Sequence, residues 1–382
     1  TQHSPRKGGA HFNSNNELNM ANKIIIAGGG TGGHIFPAIA IANAIKKMAP
    51  QTEFLFVGAK GKMEMEKVPQ AGYKIVAIDI AGLNRSSLIK NIFLPYKLLK
   101  SFFQVAKIFS RFRPGAVIGV GGYSSFPVLK YAQQKGLPTY IHESNSFAGK
   151  SNIWLSKKAK KIFTASAGME NFFPANKIVV TGNPVRKEIV QSAVSKKEAL
   201  QFFNLDAATT TILSIGGSLG AQSINEAIAR HINEFTENNL QLIWQTGKPF
   251  KQKAEEVAKN LNNIYVSDFI MRMDMAYAAA DLVISRSGAM AIAELSVVKK
   301  PAVFVPYPFA AENHQVANAK MLVNQNAALM VMNDDAATKL VAEVIALSKN
   351  EQRRNELKQN IGKLGVTNAD DSIATQVLND LN

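Results

Sequence analysis

In this 382-residue chain, a histidine that directly follows a glycine-rich turn is the first candidate for a reactive site. Residues 28–34 read GGGTGGH and separate a short apolar run from a helical pattern. Glycines let backbone N–H groups approach an anion closely, and the start of a helix adds partial positive charge. A histidine titrates near neutrality, so His34 can take a proton from a hydroxyl group. We expect His34 to be a catalytic base; a purely structural histidine is the alternative.

A second turn of the same kind occupies residues 216–221, GGSLGA. Its N–H groups and the Ser218 hydroxyl suit a diphosphate, although a purely structural strand-to-helix turn would look similar. Neither turn has the spacing GxGxxG or GxxxxGK[ST], so the sequence supports neither a dinucleotide site nor an ATPase P-loop.

Polar groups follow two further predicted strands of the first half. Gly121, Gly122 and Tyr123 follow one strand, and His142-Glu143-Ser144-Asn145 follow the next. Parallel α/β sheets bind ligands at the carboxyl ends of their strands, where these residues are expected. No histidine lies four residues after His142, so we interpret His142 and Glu143 as hydrogen-bonding or orienting groups rather than zinc ligands.

Two segments of the second half carry groups that can bind a sugar nucleotide. Residues 285–294, SRSGAMAIAE, leave a strand and enter a helix that bears Glu294. A carboxylate at this position can accept hydrogen bonds from two ribose hydroxyls. The alternative is that Glu294 is a solvent-exposed acid on the helix surface. The loop 306–318 supplies Glu312, His314, Gln315 and Asn318 as candidates for reading sugar hydroxyls. The chain has no D-x-D motif, so we expect no metal and no cofactor, with helix N-termini stabilising a departing diphosphate.

Alternating apolar strands and helical stretches must position these residues. Predicted strands occupy 23–27, 53–57, 74–80, 116–120, 139–142, 162–165 and 178–181, and, in the second half, 211–215, 240–245, 264–266, 282–285 and 302–305. This pattern, with glycines at strand ends, predicts an α/β fold with parallel doubly wound sheets. Because strand, glycine turn and helix recur, we expect two similar domains.

The predicted domain boundary lies in the turn Gly182-Asn183-Pro184. We assign residues 21–183 to the first domain and 184–366 to the second. Residues 367–382 form a helix that we expect to pack back on the first domain. The polar, aperiodic residues 1–20 are interpreted as a disordered tail or a cloning remnant.

The net charge of +16 is concentrated in one half of the chain. Residues 21–183 hold 22 Lys and Arg against six acids, whereas residues 184–382 hold 20 against 21. A basic half attracts nucleic acid, an anionic lipid surface or a phosphorylated substrate. A generally basic proteome is the alternative, but it would not segregate charge. The absence of cysteine excludes disulfides and favours a reducing compartment.

An amphipathic helix is predicted inside an acid-free stretch, residues 80–142. Within 97–112, Lys97, Lys100, Lys107 and Arg111 share one side, and apolar residues cover the rest. The apolar and basic run 88–94 precedes it. Apolar and aromatic residues next to basic ones suit an anionic lipid surface; a core helix with a solvated basic edge is the alternative.

Seven ordered segments together resemble the MurG family of peptidoglycan glycosyltransferases, which convert lipid I to lipid II. The segments are GGTGGHIFPA (29–38), GGYSSFP (121–127), HESNSFAGKSN (142–152), TGNPVR (181–186), GGSLGA (216–221), SRSGAMAIAE (285–294) and HQVANA (314–319). The resemblance implies a GT-B fold, with two Rossmann-like domains facing across a cleft. It implies inverting transfer of GlcNAc from UDP-GlcNAc to the 4-hydroxyl of MurNAc in undecaprenyl-pyrophosphoryl-MurNAc-pentapeptide.

The resemblance also assigns residues to each substrate. His34 is implied as the base and as an acceptor-binding residue, together with Gly121, Gly122, Tyr123 and Glu143. The implied donor-binding residues are Thr31, Gly32, Gly33, Asn145, Arg186, Ser218, Ile270, Ala289, Met290, Ala291, Ile292, Ala293, Glu294, Gln315 and Asn318. Among them, Ile270 would meet the uracil through its backbone and Glu294 the ribose.

The implied partners are UDP-GlcNAc, lipid I and an anionic phospholipid surface, with other cell-wall enzymes admitted and nucleic acid not expected. The implied location is the cytoplasmic face of the bacterial inner membrane, with peripheral attachment. Two rivals remain at this point. Another GT-B transferase with a lipid acceptor would share most motifs. A basic nucleic-acid-binding protein would instead interleave aromatics with Lys and Arg on a sheet or in a groove.

Overall fold

A computed structural model of the chain describes residues 23–80, 94–217, 219–310 and 313–381. The predicted tail 1–20, most of the apolar and basic run 88–94, Ser218 and Glu312 lie outside the described residues. Within those ranges the chain forms two parallel sheets, one of seven strands and one of six, with helices on both faces.

The first sheet has the strand order β3-β2-β1-β4-β5-β6-β7, all parallel. Alternate residues of β1 enter two separate cores, Ile24 and Ile26 on one face and Ile25 and Ala27 on the other, because side chains alternate along a strand. Its strands are β1 (Lys23–Ala27), β2 (Glu53–Ala59), β3 (Ile75–Ile78), β4 (Ala116–Gly119), β5 (Thr139–Glu143), β6 (Lys161–Thr164) and β7 (Ile178–Val180).

Helices link these strands by crossovers, so each loop that leaves a strand's carboxyl end lies at one edge of the sheet. The helices are α1 (Gly32–Met48), α2 (Glu64–Gln70), α3 (Leu94–Phe112), α4 (Ser125–Gln134) and α5 (Lys150–Ser156). Helix α1 buries Ile35, Ala38, Ile41 and Ile45 against the sheet, a helical spacing that gives it one apolar face.

The second sheet has the order β10-β9-β8-β11-β12-β13 and is likewise parallel. Its strands are β8 (Thr210–Ile215), β9 (Leu240–Gln245), β10 (Ile264–Ser267), β11 (Leu282–Ser285), β12 (Ala302–Phe304) and β13 (Leu329–Met330). The α-helices of this half are α6 (Lys187–Val190), α7 (Lys196–Phe202), α8 (Gln222–Arg230), α9 (Ile232–Glu237), α10 (Lys251–Val257), α11 (Met273–Ala279), α12 (Ala289–Val297), α13 (His314–Asn324), α14 (Ala336–Lys349) and α15 (Glu351–Gly362).

The last helix, α16 (Ala369–Leu381), packs on α1 of the first sheet rather than on the second. Ile373, Ala374 and Val377 enter the core that contains Ile41 and Ile45. The chain therefore passes between the two halves twice. The two connecting segments lie in contact: a Cβ atom at Gly182, in the first, would lie 2.7 Å from Cβ of Val366, in the second.

Most predicted elements occur within one to three residues of their expected bounds, with two differences of note. Strand β13 was not predicted, because two residues give no readable alternation. The sequence predicts a helix over 37–48, whereas helix α1 begins five residues earlier, at Gly32. Pro37 lies inside its second turn, and the preceding glycines hide the helical pattern.

Candidate active site in the cleft between the two sheets

The carboxyl edges of the two sheets face each other across a cleft. A Cβ atom at Gly33, in the first glycine-rich turn, would lie 3.9 Å from Cγ of Met290 at the start of α12. The hydroxyl of Ser146 donates a 2.6 Å hydrogen bond to Oδ1 of Asn318 on α13. The turn after β1 therefore lies opposite the starts of α12 and α13, where the second sheet would hold a ligand.

His34 lies in the first turn of α1, partly buried, with a defined tautomer. Its Nδ1 lies 3.1 Å from the carbonyl oxygen of Gly29. A carbonyl only accepts hydrogen bonds, so Nδ1 carries the proton and Nε2 keeps a free lone pair. A Cβ atom at Gly121 would lie 2.7 Å from Nε2, so only glycine leaves room for this ring position. The geometry presents a neutral imidazole that can accept a proton.

Burial keeps His34 neutral. Burial lowers its pKa, which outweighs the opposite effect of the carboxylates Glu143 and Glu64. A second histidine, His142, is 1% exposed, and neither ring nitrogen has a well-directed hydrogen-bond partner among the described residues. Burial, together with neighbouring His34, lowers the pKa of His142 to about 4. Both rings are therefore uncharged at neutral pH, the state a general base requires.

The two glycine-rich segments of the first half interlock beside His34. The N–H of Gly29 donates to the carbonyl of Gly121 at 3.3 Å. Gly121 and Gly122 have φ values of +92° and +84°, a region open mainly to glycine. Tyr123 follows with 60% of its surface exposed, so its ring is available at the mouth of the cleft.

Glu143 organises its own loop. The carboxylate is 4% exposed and accepts hydrogen bonds from Nδ2 of Asn152 at 2.9 Å and from the N–H groups of Asn145 and Gly149, each at 3.1 Å. It also accepts from Nδ2 of Asn145 at 3.3 Å. These bonds fix the loop that presents Asn145 and Ser146 to the cleft, which agrees with an orienting role for Glu143.

The second glycine-rich turn leaves β8 with Gly217 and Gly220 at φ values of +80° and +75°. Ser218 lies outside the described residues. The side chain of Gln245 donates to the Gly217 carbonyl at 3.0 Å and accepts from the N–H of Ile270 at 3.3 Å. Sequence reasoning missed Gln245, which ties the expected diphosphate turn to the expected uracil segment. Nothing in the local pattern distinguishes it from an ordinary strand residue.

Glu294 is a buried acid and not the solvated one that the sequence left open, with 8% of its surface exposed. Its Oε1 accepts from Nε of Arg186 at 3.1 Å and pairs with a terminal guanidinium nitrogen at 3.0 Å. Its Oε2 accepts from the hydroxyl of Tyr277 at 2.8 Å. The guanidinium of Arg186 stacks on the Phe36 ring of α1, 4.9 Å from its centroid. Sequence reasoning missed Tyr277 as well.

The remaining donor-site candidates surround the start of α12. Residues 289–293 are partly buried, and the first N–H groups of the helix lack intrahelical acceptors. A Cβ atom at Gly288 would lie 4.0 Å from Nε2 of Gln315, so the helix start and α13 are neighbours. Oε1 of Gln315 accepts from the N–H of Tyr307 at 3.0 Å, and Nδ2 of Asn318 donates to the Ser287 carbonyl at 3.2 Å. Thr31 and Gly32 lie opposite, at the start of α1.

Two findings bear on the metal and membrane expectations. Across the described ranges 23–80, 94–217, 219–310 and 313–381, His, Asp and Glu form no group of three that could hold a metal ion. Over the same ranges, every helix is too short or too polar to cross a bilayer.

Two facing Rossmann-like domains, with glycine-rich turns and helix starts lining the cleft, are the architecture of GT-B glycosyltransferases. Comparison with known sequences agrees. The profile of the glycosyltransferase family 28 N-terminal domain matches residues 24–164, and that of the family 28 C-terminal domain matches residues 211–375.

Full-length relatives are more specific. The UDP-N-acetylglucosamine–N-acetylmuramyl-(pentapeptide) pyrophosphoryl-undecaprenol N-acetylglucosamine transferase of Parabacteroides distasonis is 47% identical over 93% of this chain and 97% of its own length. The transferase of that name from Bacteroides thetaiotaomicron is 48% identical over the same shares. The crystal structure of Acinetobacter baumannii MurG superposes with a TM-score of 0.74 at 28% identity, covering 93% of this chain and 98% of that one. The chain belongs to this family of N-acetylglucosamine transferases, within glycosyltransferase family 28.

Proposed function

We propose that the chain transfers GlcNAc from UDP-GlcNAc to the 4-hydroxyl of MurNAc in lipid I and so forms lipid II. The observation that carries the proposal is the position of His34, a neutral histidine whose unprotonated nitrogen is Nε2, in the turn that faces the start of α12 across the cleft. Nε2 takes the proton of the acceptor hydroxyl as the oxygen attacks the anomeric carbon. The bond from that carbon to the β-phosphate oxygen breaks, and UDP leaves with the electron pair. Attack from the opposite face inverts an α-linked donor to a β-linked product.

The second domain is proposed to hold the donor. The starts of α8 and α12 and the glycine turn after β8 supply N–H groups and helix dipoles for the diphosphate, with Arg186 close by. Glu294 would bind the ribose and Ile270 the uracil. The two oxygens of Glu294 already accept hydrogen bonds, but a carboxylate has about four acceptor sites, so ribose hydroxyls can join without displacing Tyr277.

The first domain is proposed to hold the acceptor and an anionic membrane surface. On α3, Tyr96, Leu99 and Phe103 are 64%, 59% and 71% exposed, and Lys97 and Lys107 beside them are exposed too. Helix α3 follows the carboxyl end of β3 and runs back across the sheet, so its first turns lie at the edge that carries His34. A membrane that binds these turns would therefore lie next to the acceptor loops, as peripheral attachment to the cytoplasmic face requires.

A transfer assay tests the proposal. Radiolabelled UDP-GlcNAc and a lipid I analogue should give a chromatographically distinct disaccharide product. No transfer with that pair, alongside activity on a diacylglycerol, would overturn the acceptor assignment.

The variant His34→Ala tests the base. We expect kcat to fall by about 10²- to 10⁴-fold, while calorimetry shows UDP affinity within about twofold of the parent. His231→Ala is the matched control, because His231 caps the C-terminal end of α8, whose opposite end is the one assigned to the cleft. Unchanged turnover in His34→Ala would remove His34 from the chemistry.

A further inference from the structure

A buried carboxylate behind the first glycine-rich turn has no part in the proposed function so far. Glu64, the first residue of α2, is 1% exposed, whereas Glu66 on the same helix is exposed. Carboxylates are rarely buried without compensation. Among the described residues no ion pair reaches Glu64, so backbone N–H groups provide the compensation.

Each oxygen of Glu64 accepts one such N–H group. Oε2 accepts from Gly30 at 2.8 Å, and Oε1 accepts from Ala59 at 2.9 Å. The carboxylate therefore joins the end of β2 to the turn that follows β1. Hydrogen bonds from N–H groups to an ionised acceptor are stronger than those between neutral groups.

Two glycines make the space for this side chain. A Cβ atom at Gly29 would collide with the carboxyl group, and one at Gly58 would lie 2.5 Å from Cγ of Glu64. Gly29 is also the residue whose carbonyl holds Nδ1 of His34. The Glu64 carboxylate thus packs against Gly29, which positions the imidazole, and accepts a hydrogen bond from the N–H of Gly30.

We propose that Glu64 is a positioning residue for glycosyl transfer, which fixes Gly29 and Gly30, and through them the His34 ring, while its negative charge stabilises the imidazolium that forms when His34 takes the acceptor proton. This inference rests on the proposed role of His34 as base. It assigns two separable contributions to one side chain, geometry through the two N–H bonds and electrostatics through the charge.

The electrostatic contribution has a defined sign. The ionisable groups that face His34 are the carboxylates of Glu143 and Glu64, which raise its pKa, and His314, which lowers it; His142 also lies close by. Burial is the largest influence and lowers the pKa. Removal of the Glu64 charge therefore lowers the pKa of His34 further, so protonation inactivates the base only at lower pH.

Glu64→Gln and Glu66→Gln form a matched pair. For Glu64→Gln we expect kcat to fall about ten- to hundred-fold, because one N–H bond is lost and the turn shifts, with the KM for UDP-GlcNAc within about twofold. The acid limb of the kcat profile should move to lower pH by about half a unit. Among the described residues, Glu66 accepts hydrogen bonds from the side chains of Lys67 and Gln70 at the surface, so Glu66→Gln should leave all three quantities unchanged.

Glu64→Asp separates the two contributions and carries the test if Glu64→Gln does not fold. Aspartate keeps the charge but is one methylene too short to reach both N–H groups. We expect a lower kcat with the acid limb in its original place. Wild-type kcat in Glu64→Asp, or an unmoved limb in a folded Glu64→Gln, would overturn the proposal, since a merely structural residue does not move the limb.

His34→Ala, assayed in parallel, distinguishes the two possible failures. If His34→Ala keeps its turnover, the assignment of His34 as the base is wrong, regardless of the turnover of the Glu64 variants. If His34→Ala loses turnover while Glu64→Gln and Glu64→Asp keep theirs, the base stands and the role of Glu64 is refuted.

Discussion

Deletion of one hydroxyl group, by Tyr277→Phe, tests how the cleft recognises its nucleotide. The Tyr277 ring is 2% exposed in the core of the second domain, and its hydroxyl donates to Oε2 of Glu294 at 2.8 Å. Phenylalanine keeps the ring and its packing. The substitution therefore removes one of the two supports of the carboxylate that we assign to the ribose, and leaves Arg186 as the other.

The size of the effect follows from the kind of hydrogen bond. A bond to a charged acceptor is worth about 1.5–3 kcal/mol. Arg186 still holds Oε1, so the loss should lie at the lower end, about 1.5 kcal/mol, which corresponds to a roughly tenfold weaker affinity. We expect the KM for UDP-GlcNAc to rise by that factor and kcat to change by less than about threefold, because the ribose lies away from the reacting carbon.

Calorimetric titration with UDP and with 2′,3′-dideoxy-UDP isolates the ribose contact. The variant should lose affinity for UDP and bind the dideoxy analogue as the parent does. Tyr265→Phe is the control, since it makes the same exchange on β10 of the same domain, where the ring packs on Phe203 at 4.9 Å. Parental affinity for UDP, or an equal loss towards both ligands, would refute the reasoning.

Three further outcomes are expected. Glu294→Ala should raise the donor KM more than Tyr277→Phe does, by about a hundredfold, because the acceptor itself is lost; an unaltered KM in steady-state assays would contradict the ribose role. A double variant, Leu99→Glu with Phe103→Glu, should lower sedimentation with anionic vesicles while turnover of a soluble acceptor stays constant, and Phe202→Glu, which alters an exposed aromatic of the second domain, should not. His142 has a folded pKa of about 4 against an ordinary 6.5, so the unfolded chain binds its proton first as pH falls. Between pH 7 and pH 5 the free energy of unfolding should therefore fall by about 2 kcal/mol on account of this residue. Urea unfolding of His142→Leu should lack that component, and an identical pH dependence in both proteins would argue against a neutral buried ring.

The fold class and the family could be predicted from the sequence and are confirmed, because both depend on patterns that extend along most of the chain. Strand and helix alternation sets a parallel sheet, and ordered motifs mark the ends of its strands. The roles of single site residues remain predictions. Ser218 lies outside the described residues, and the ligand contacts assigned to Ile270, Gln315 and Asn318 are expected to replace or add to the internal hydrogen bonds they now make.

The residues that support the site could not be predicted, for a physical reason. Glu64 occurs in the run MEMEKVP, where it is one of three charged residues and carries no local sign of burial. Its burial depends on the space that Gly29 and Gly58 leave, and Gly29 follows a different strand. It also depends on N–H groups that only the folded sheet brings together. Tyr277 and Gln245 act on partners 17 and 25 residues away, with no local periodicity to reveal them.

The return of α16 to the first sheet has a consequence for how the chain is made. Residues 369–381 supply Ile373, Ala374 and Val377 to the core beneath α1, so the first half exposes that apolar surface until these residues have been synthesised. At about 5–20 residues per second, some 200 residues of the second half delay this step by at least ten seconds. During that interval the nascent first half would expose a surface that chaperones bind. Deletion of α16 would leave the core of the first half permanently incomplete. Such a variant should lose solubility at a lower temperature than the one at which it loses nucleotide affinity.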